Sequence, residues 1–392
     1  MVRCCSPMVL TILAIFFARV AWNMELFKDV KSLPTFQKHP KSCRDLANTA
    51  KVAPSCEDFR FLSENILLLG VGAVIPGLEM GDDGPKTDQL AVVDMTTDKI
   101  RFLELKNFPR DKVFRPHGLE YEAPNRLFVV SHAQQGEERV EIFEVSGQHS
   151  LATVELKWIG VVTPPVPKGT MNSITAVSVN EIYVTQWLPA DVPRKGLLHP
   201  SGPVEILEVL YTVFYLIGHR MLGFPVFFGG RTGVYRCEVA TNKCEKAFDG
   251  FVSANGITST PDGRFVFVND CLRQFIAVFE REANTGKLSL VLAKSLPHLG
   301  DNIHIHPLAD GRMELWFGSI PDGIRFLLDL RPIPGGLMIG TFDPKNNSLE
   351  IHDGFIHDGT LLEAVATAAK WKNKVVLGGP KKTGGVLVCD VE

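Results

Sequence analysis

The chain has 392 residues, of which 45% are hydrophobic and 22% charged, and its formal net charge is −3. This length and apolar fraction are sufficient for a large buried core. The near-neutral charge and the lack of a basic tract argue against nucleic acid as a partner. No Pro/Ser-rich or charge-rich linker interrupts 56–379, so we expect a single domain over 23–392.

An apolar run, 8–18, lies near the N-terminus between Arg3 and Arg19. It is too short to cross a bilayer as a helix, but it has the length of a signal-peptide hydrophobic region. We interpret 1–22 as a signal or a retained, anchor-like segment, with a buried N-terminal helix as the alternative. A secreted or membrane-associated protein is expected, and the Asn346-Asn347-Ser348 sequon would then be glycosylated.

A turn between two strands recurs six times along the chain. Most copies carry an oxygen-bearing side chain at the same place near their start, and Asp-Gly turns at Asp262 and Asp310 mark two of the hairpins. The spacing of the copies, roughly 50 to 80 residues, leaves room for four strands in each unit. The pattern predicts an all-β, six-bladed β-propeller. The six copies are 56–70, 116–132, 171–186, 254–270, 300–318 and 363–379.

The long gap between the third and fourth copies departs from the β pattern. Pro203, followed by Glu205 and Glu208, is typical of a helix start, and 209–218 is apolar on nearly every face. A helical insertion is therefore predicted at about 201–223. An insertion between blades projects from one face of the disc, which favours contact with a membrane or lipoprotein surface over a lid on the active site.

The cysteines agree with an oxidising compartment. Cys43 precedes the first copy and Cys389 follows the last, where a disulfide would join the ends of a ring. Cys237 and Cys244 flank a turn and could pair across a hairpin. Two further cysteines are expected to be buried thiols: Cys56 and Cys271.

The lead residues of the copies carry a second pattern. Apart from His117, they form an all-oxygen set of two carboxylates and three amides, with a charge of −2. The number and flexibility of these ligands favour Ca²⁺ over Mg²⁺, whereas zinc would require His and Cys. Turn capping is the alternative for each residue taken singly. The set is Glu57, Asn172, Asn255, Asp301 and Asn302.

Two histidines complete the candidate site. His117 leads the second copy and His132 ends it, so they are predicted to lie on neighbouring strands. A histidine pair beside a cation suits general-base activation of water, although a hydrogen-bonded core histidine is the alternative for each. No G-x-S-x-G motif is present, which disfavours a serine esterase. His304 and His306 are interpreted as structural.

These motifs resemble the paraoxonase/arylesterase family, calcium-dependent six-bladed propellers that hydrolyse lactones and aryl esters. The resemblance runs from about residue 43 to 389 and is weakest over 187–245. Its motifs are the early Cys and Glu-Asp, Pro-His-Gly, Ser-His, Asn-Gly-Ile, Asp-Asn-Ile and the terminal Cys. The resemblance implies a catalytic calcium on the five lead residues, a dyad of His117 and His132, and a Cys43–Cys389 disulfide.

The resemblance also implies a second, structural calcium at Asp58, the Leu119 carbonyl and Ser173. Ser173 stands where better-known members have an aspartate, which weakens that site. Other departures lie near the pocket: Gln186 and Trp187 replace an acidic-His pair, and Ser253 and Ile320 replace an aromatic residue and a histidine. The metal chemistry is therefore expected to carry over more fully than the substrate range.

The sequence thus predicts a calcium-dependent hydrolase of lactones and aryl esters, with a small-molecule substrate and a membrane or lipoprotein partner. Two alternatives remain open. One is a gluconolactonase-like enzyme, for which a polar pocket and no apolar helix are expected. The other is a non-enzymatic, calcium-stabilised propeller that serves as a binding scaffold.

Overall fold

The structure is a computed structural model that describes residues 31, 33, 43–72, 89–132, 138–192, 202–222, 231–327, 330–380 and 385–390. The predicted segment 1–22 lies outside the described residues. The described strands form six separate sheets. Inner strands of consecutive sheets lie side by side, and the sixth lies beside the first, which closes a ring. The predicted six-bladed β-propeller is therefore confirmed.

Each blade contains four antiparallel strands, and blade 2 has a short fifth strand at its outer edge. From the inside outward, blade 1 consists of β2 (Cys56–Ser63), β3 (Ile66–Val71), β4 (Gln89–Asp94) and β5 (Lys99–Phe102). Blade 2 consists of β7 (Pro116–Glu122), β8 (Arg126–Ser131), β9 (Arg139–Ser146) and β10 (Glu155–Val162). Blade 3 consists of β11 (Met171–Ser178), β12 (Glu181–Gln186), β13 (Thr232–Glu238) and β14 (Lys243–Phe251).

Blade 4 consists of β15 (Ala254–Ser259), β16 (Phe265–Asp270), β17 (Phe275–Arg281) and β18 (Leu288–Ser295). Blade 5 consists of β19 (Leu299–Pro307), β20 (Met313–Ile320), β21 (Gly335–Asp343) and β22 (Ser348–His357). Blade 6 consists of β23 (Thr367–Trp371), β24 (Lys374–Gly378), β25 (Val386–Asp390) and β1 (Arg44–Asp45). A short strand, β6 (Leu105–Lys106), pairs in parallel with β10. The described helices are α1 (Thr49–Val52), α2 (Pro203–Leu222) and α3 (Gly323–Leu327), and a 3₁₀ turn spans Leu46–Asn48.

The core lies in layers between adjacent blades. Strand β3 is buried at all six positions because both of its faces are covered. Its side chains alternate: Leu67 and Leu69 pack toward blade 6, with Val376, whereas Leu68 packs toward blade 2, with Val129. Successive side chains of a strand point to opposite faces of the sheet, so this one strand contributes to the interfaces with both neighbouring blades. Other sheets that are buried on both faces show the same arrangement.

The ring closes through both backbone and side chains. Strand β1 supplies the outer strand of blade 6 by pairing with β25. The predicted Cys43–Cys389 disulfide links the residue before β1 to β25, and Cys237–Cys244 links β13 to β14. Cys56 is a buried thiol, as predicted, whereas the prediction was wrong for Cys271, which lies outside both disulfides but is only half-buried.

Helix α2 confirms the helical insertion predicted at 201–223. In its first half Thr212 is buried, but several large apolar side chains face solvent. Among the described helices, none combines the length and apolar character that crossing a bilayer would require. The exposed residues are Val204, Ile206, Leu207, Leu210 and Tyr211. The sequon residue Asn346 is exposed in the turn between β21 and β22.

Candidate metal centre and histidine dyad

A β-bulge occurs near the start of each inner strand in blades 1 to 5. In β2 the pairing passes from Cys56–Val71 to Phe59–Leu69, so that two residues oppose Gly70 alone. Bulges alter the direction of side chains and are frequent beside functional sites. Strand β23 of blade 6 pairs with β24 in regular register. The bulged pairs are Glu57-Asp58, His117-Gly118, Asn172-Ser173, Asn255-Gly256 and Asp301-Asn302.

All of the sequence-predicted lead residues therefore lie in these bulges. The two glycines in the bulges explain part of the motif. A Cβ on Gly118 would lie 2.5 Å from the Asn172 carbonyl oxygen, and one on Gly256 would lie 2.3 Å from that of Asp301. Only glycine allows these inner strands to approach the next blade so closely.

The lead side chains contact one another around the ring. Asn302 Nδ2 donates to Glu57 Oε2 at 3.0 Å, which links blade 5 to blade 1. Glu57 Oε1 lies 3.3 Å from His117 Nε2, and Asn172 Nδ2 lies 3.5 Å from the same nitrogen. Asn255 lies beside Asp301 and favours the charged form of its carboxyl group. The fold thus gathers all five predicted calcium ligands with His117.

Four oxygens of this cluster indicate what it could bind. They are buried, and no hydrogen-bond donor reaches them from the described part of the chain. A buried oxygen without a partner is costly unless a cation or a donor completes it. Carboxylate and amide oxygens are the ligands that Ca²⁺ prefers, so the donor set fits this ion. The oxygens are Oδ1 of Asn172, Asn255, Asp301 and Asn302.

The electrostatics of the two carboxyl groups support the same assignment. Burial, reinforced by the charge of Asp58, raises the pKa of Glu57 to about 8. Burial and the charge of Glu57 raise the pKa of Asp301 well above its usual value. A bound dication would remove this repulsion. Within the described residues no cluster of three or more His, Cys, Asp or Glu resembles a metal site, since three of the five candidate ligands are asparagines.

The two histidines form a directed hydrogen-bond chain with a residue that the sequence did not reveal. His117 Nδ1 lies 2.6 Å from His132 Nε2, and His132 Nδ1 lies 2.8 Å from Glu138 Oε2. Glu138 is buried and also accepts the Gly169 N–H at 2.6 Å. Because the carboxylate accepts, His132 must donate through Nδ1 and accept through Nε2. His117 then donates through Nδ1, which leaves its Nε2 lone pair facing the candidate ligands.

Burial lowers the pKa of His117 well below its ordinary value, and the nearby His132 lowers it further. A neutral His117 therefore places an Nε2 lone pair 3.3 Å from Glu57 Oε1. A cation held by the neighbouring ligands would offset the repulsion between this lone pair and the carboxylate. The arrangement can therefore hold a cation beside a neutral base.

The residues implied for a second calcium fit this ion poorly. The Asp58 carboxylate is fully buried and bound by the Arg60 guanidinium, with 2.6 Å from Nη1 to Oδ1. Asp58 Oδ2 accepts the Leu119 N–H at 2.8 Å. Ser173 offers a buried hydroxyl in place of a carboxylate. A side-chain cation already neutralises the only carboxylate of this predicted site.

Sequence reasoning missed Glu138, Arg60 and Asn269. Asn269 Nδ2 donates to the Asp301 carbonyl at 2.6 Å and fixes that bulge. Glu138 precedes β9 in a charged stretch with no motif, and Arg60 looks like an ordinary polar residue of a strand. One signal was available: Arg60 follows Asp58 by two residues, which places both side chains on the same face of β2.

The fold and the site together define a six-bladed propeller with a buried oxygen-donor cluster beside a histidine dyad. Residues 233–391 match the family model described as Arylesterase. Serum paraoxonase/arylesterase 1 of Rattus norvegicus is 24% identical over 335 residues, which cover 83% of this chain and 84% of that protein. Serum paraoxonase/arylesterase 2 of Homo sapiens is 25% identical over 332 residues, 82% of each protein.

The expected resemblance to the paraoxonase/arylesterase family is thereby confirmed. Among solved structures, a luciferin-regenerating enzyme aligns with a TM-score of 0.49 and 12% identity, covering 90% of this chain and 99% of that one.

Proposed function

We propose that this chain is a calcium-dependent hydrolase of lactones and aryl esters. The observation that carries the proposal is the group of four buried, unsatisfied oxygens next to the Nε2 lone pair of His117. The similarity to proteins named serum paraoxonase/arylesterase supports an ester as the substrate. Glu57, Asn172, Asn255, Asp301 and Asn302 would hold the calcium.

When bound, calcium would polarise a carbonyl and stabilise negative charge on its oxygen. The histidines supply the base. His117 Nε2 takes a proton from water, and the resulting imidazolium keeps its Nδ1–H bond to His132. The Glu138 carboxylate holds His132 and stabilises the positive charge that develops on the dyad. Burial excludes bulk water from this relay, since His117 and His132 are 1% and 3% exposed.

The test is a panel of lactones and phenyl acetate, assayed with the parent chain and His117→Gln. We expect turnover by the parent and a loss of roughly 10²-fold or more in the variant. His149→Gln makes the same chemical change at an exposed histidine and should leave turnover unchanged. A parent that hydrolysed no member of the panel would favour the scaffold alternative, and full turnover by His117→Gln would remove the dyad from the mechanism.

We further propose that the protein acts in the secretory pathway and at a membrane or lipoprotein surface. Two disulfides support an oxidising compartment. The exposed apolar side chains of α2 support an interfacial helix, because they leave a large apolar surface in water unless lipid covers it.

A further inference from the structure

The Arg60 guanidinium bridges the inner strands of three blades. Its Nη1 donates to Asp58 Oδ1 at 2.6 Å and to the Phe59 carbonyl at 2.9 Å, both on β2. Its Nε donates to Glu120 Oε2 on β7 at 3.0 Å. The ring nitrogen Nε2 of His304, on β19, lies 3.1 Å from Nη1.

The surroundings of this cation resemble a set of metal ligands. Two carboxylate oxygens and one backbone carbonyl accept its N–H groups, and Arg60 itself is only 8% exposed. Buried guanidinium groups are stable when their donors are paired in this way. Burial would weaken the charged form, but Asp58 and Glu120 outweigh this and raise the pKa of Arg60.

A dication at Asp58 would find little left to bind. Besides Arg60, the carboxylate accepts the backbone N–H groups of Phe59 and Leu119, at 2.9 and 2.8 Å. Calcium would also lie next to a fixed positive charge in a buried region where screening is weak. The neighbouring Ser173 adds no negative charge to offset this repulsion.

We propose that Arg60 takes the place of a second calcium ion as the internal cation that joins blades 1, 2 and 5. The chain therefore binds one calcium, at the centre described above, and the packing around Asp58 does not depend on metal. The count of one ion rests on the calcium centre of the proposed function, whereas the metal-independent packing around Asp58 does not.

The first experiment is the calcium stoichiometry of the full chain, measured by equilibrium dialysis. We expect one ion per chain in the parent and none in Asn255→Ala. Two ions in the parent would overturn the inference. No ion in the parent would instead contradict the calcium centre of the proposed function, so the two failures are distinguishable.

The second experiment is thermal unfolding of Arg60→Leu with excess chelator present. Because a buried carboxylate would lose its counterion, the melting temperature should fall by at least about 5 °C. Arg312→Leu removes an exposed guanidinium that pairs with Asp310, two residues away, and should change the melting temperature little. An unchanged melting temperature in Arg60→Leu would overturn the inference.

The third experiment covers the case in which Arg60→Leu does not fold. The double variant Arg60→Ala, Ser173→Asp removes the guanidinium and supplies a carboxylate, so added calcium should bind as a second ion and raise the melting temperature. Arg60→Lys keeps the charge and should fold without a second ion. If Arg60→Lys bound two calcium ions, a positive charge at this position would not be what excludes the metal, and the inference would be overturned.

Discussion

Glu138 Oε2 lies 2.8 Å from His132 Nδ1, and this contact fixes the direction of the hydrogen-bond chain that ends at His117. The carboxylate is held in turn by the backbone N–H of Gly169. Three residues are thus required to orient one lone pair. The candidate base therefore depends on residues well outside the motif that contains it.

Glu138→Gln should remove the fixed direction of the hydrogen-bond chain that ends at His117. Its side-chain amide has a single acceptor oxygen, which cannot serve both Gly169 and His132, so His132 is free to adopt the other tautomer. We expect kcat for a lactone to fall by roughly tenfold to a hundredfold, with KM and calcium affinity nearly unchanged. Steady-state kinetics and a calcium titration measure both. A proportional loss of calcium binding would show that Glu138 acts only on the fold.

Variants of the candidate calcium ligands and variants of the candidate base should differ in their effect on calcium binding. Asn255→Ala removes a candidate ligand and should weaken calcium binding, remove the calcium-dependent rise in melting temperature and abolish turnover. His117→Gln should bind calcium and melt almost like the parent. Calcium titration and calorimetry of the two variants, with Asn284→Ala as an exposed control, provide the comparison. Equal calcium affinity in Asn255→Ala and the parent would contradict the proposed ligand set.

Blades 3 and 4 are joined by an ion-pair network around Glu181. Arg281 Nη2 and Arg236 Nε donate to this carboxylate at 2.8 and 3.1 Å. Burial opposes ionisation, but these hydrogen bonds outweigh it and lower the pKa of Glu181 to about 2. A folded-state pKa below the ordinary value means that the stabilisation is present above about pH 4.5 and is lost as the pH falls toward 2.

Glu181→Gln should therefore destabilise the protein by about 1 kcal/mol at pH 7, since the site is partly open to solvent. The difference from the parent should shrink at pH 3. Urea unfolding at both pH values measures it. Glu155→Gln breaks an exposed pair with Lys106 and should have no measurable effect at either pH. A difference for Glu181→Gln that grew at low pH would contradict the lowered pKa of this carboxyl group.

Helix α2 should mediate binding to lipid. Leu207 is 66% exposed, and its replacement by Glu places a charge where the apolar face would enter the interface. We expect partitioning to phosphatidylcholine vesicles to fall roughly tenfold or more in Leu207→Glu. Leu290→Glu makes the same change at an exposed leucine of β18, in blade 4, and serves as the control. Equal partitioning of the two variants would contradict the membrane proposal.

The sequence was sufficient for the blade count, because strand alternation and turn residues recur locally. The positions of Cys43 and Cys389 before and after the repeats were sufficient for the disulfide that joins them. The sequence also identified Glu57, Asn172 and Asn255 as equivalent positions, since each is the second residue of its inner strand. The bulges could not be foreseen, because they depend on pairing with the next strand. The partners of Asp58 and His132 depend on side-chain geometry around the ring, which no local sequence pattern predicts.

Hydrolysis by this chain should depend on calcium held at the inner-strand bulges. The decisive measurement is the rate of lactone hydrolysis after removal of metal by a chelator, followed by titration with Ca²⁺. We predict that turnover disappears on depletion and returns in proportion to the calcium bound, with saturation at one ion per chain. Undiminished turnover by the metal-depleted protein would contradict a catalytic role for the metal centre.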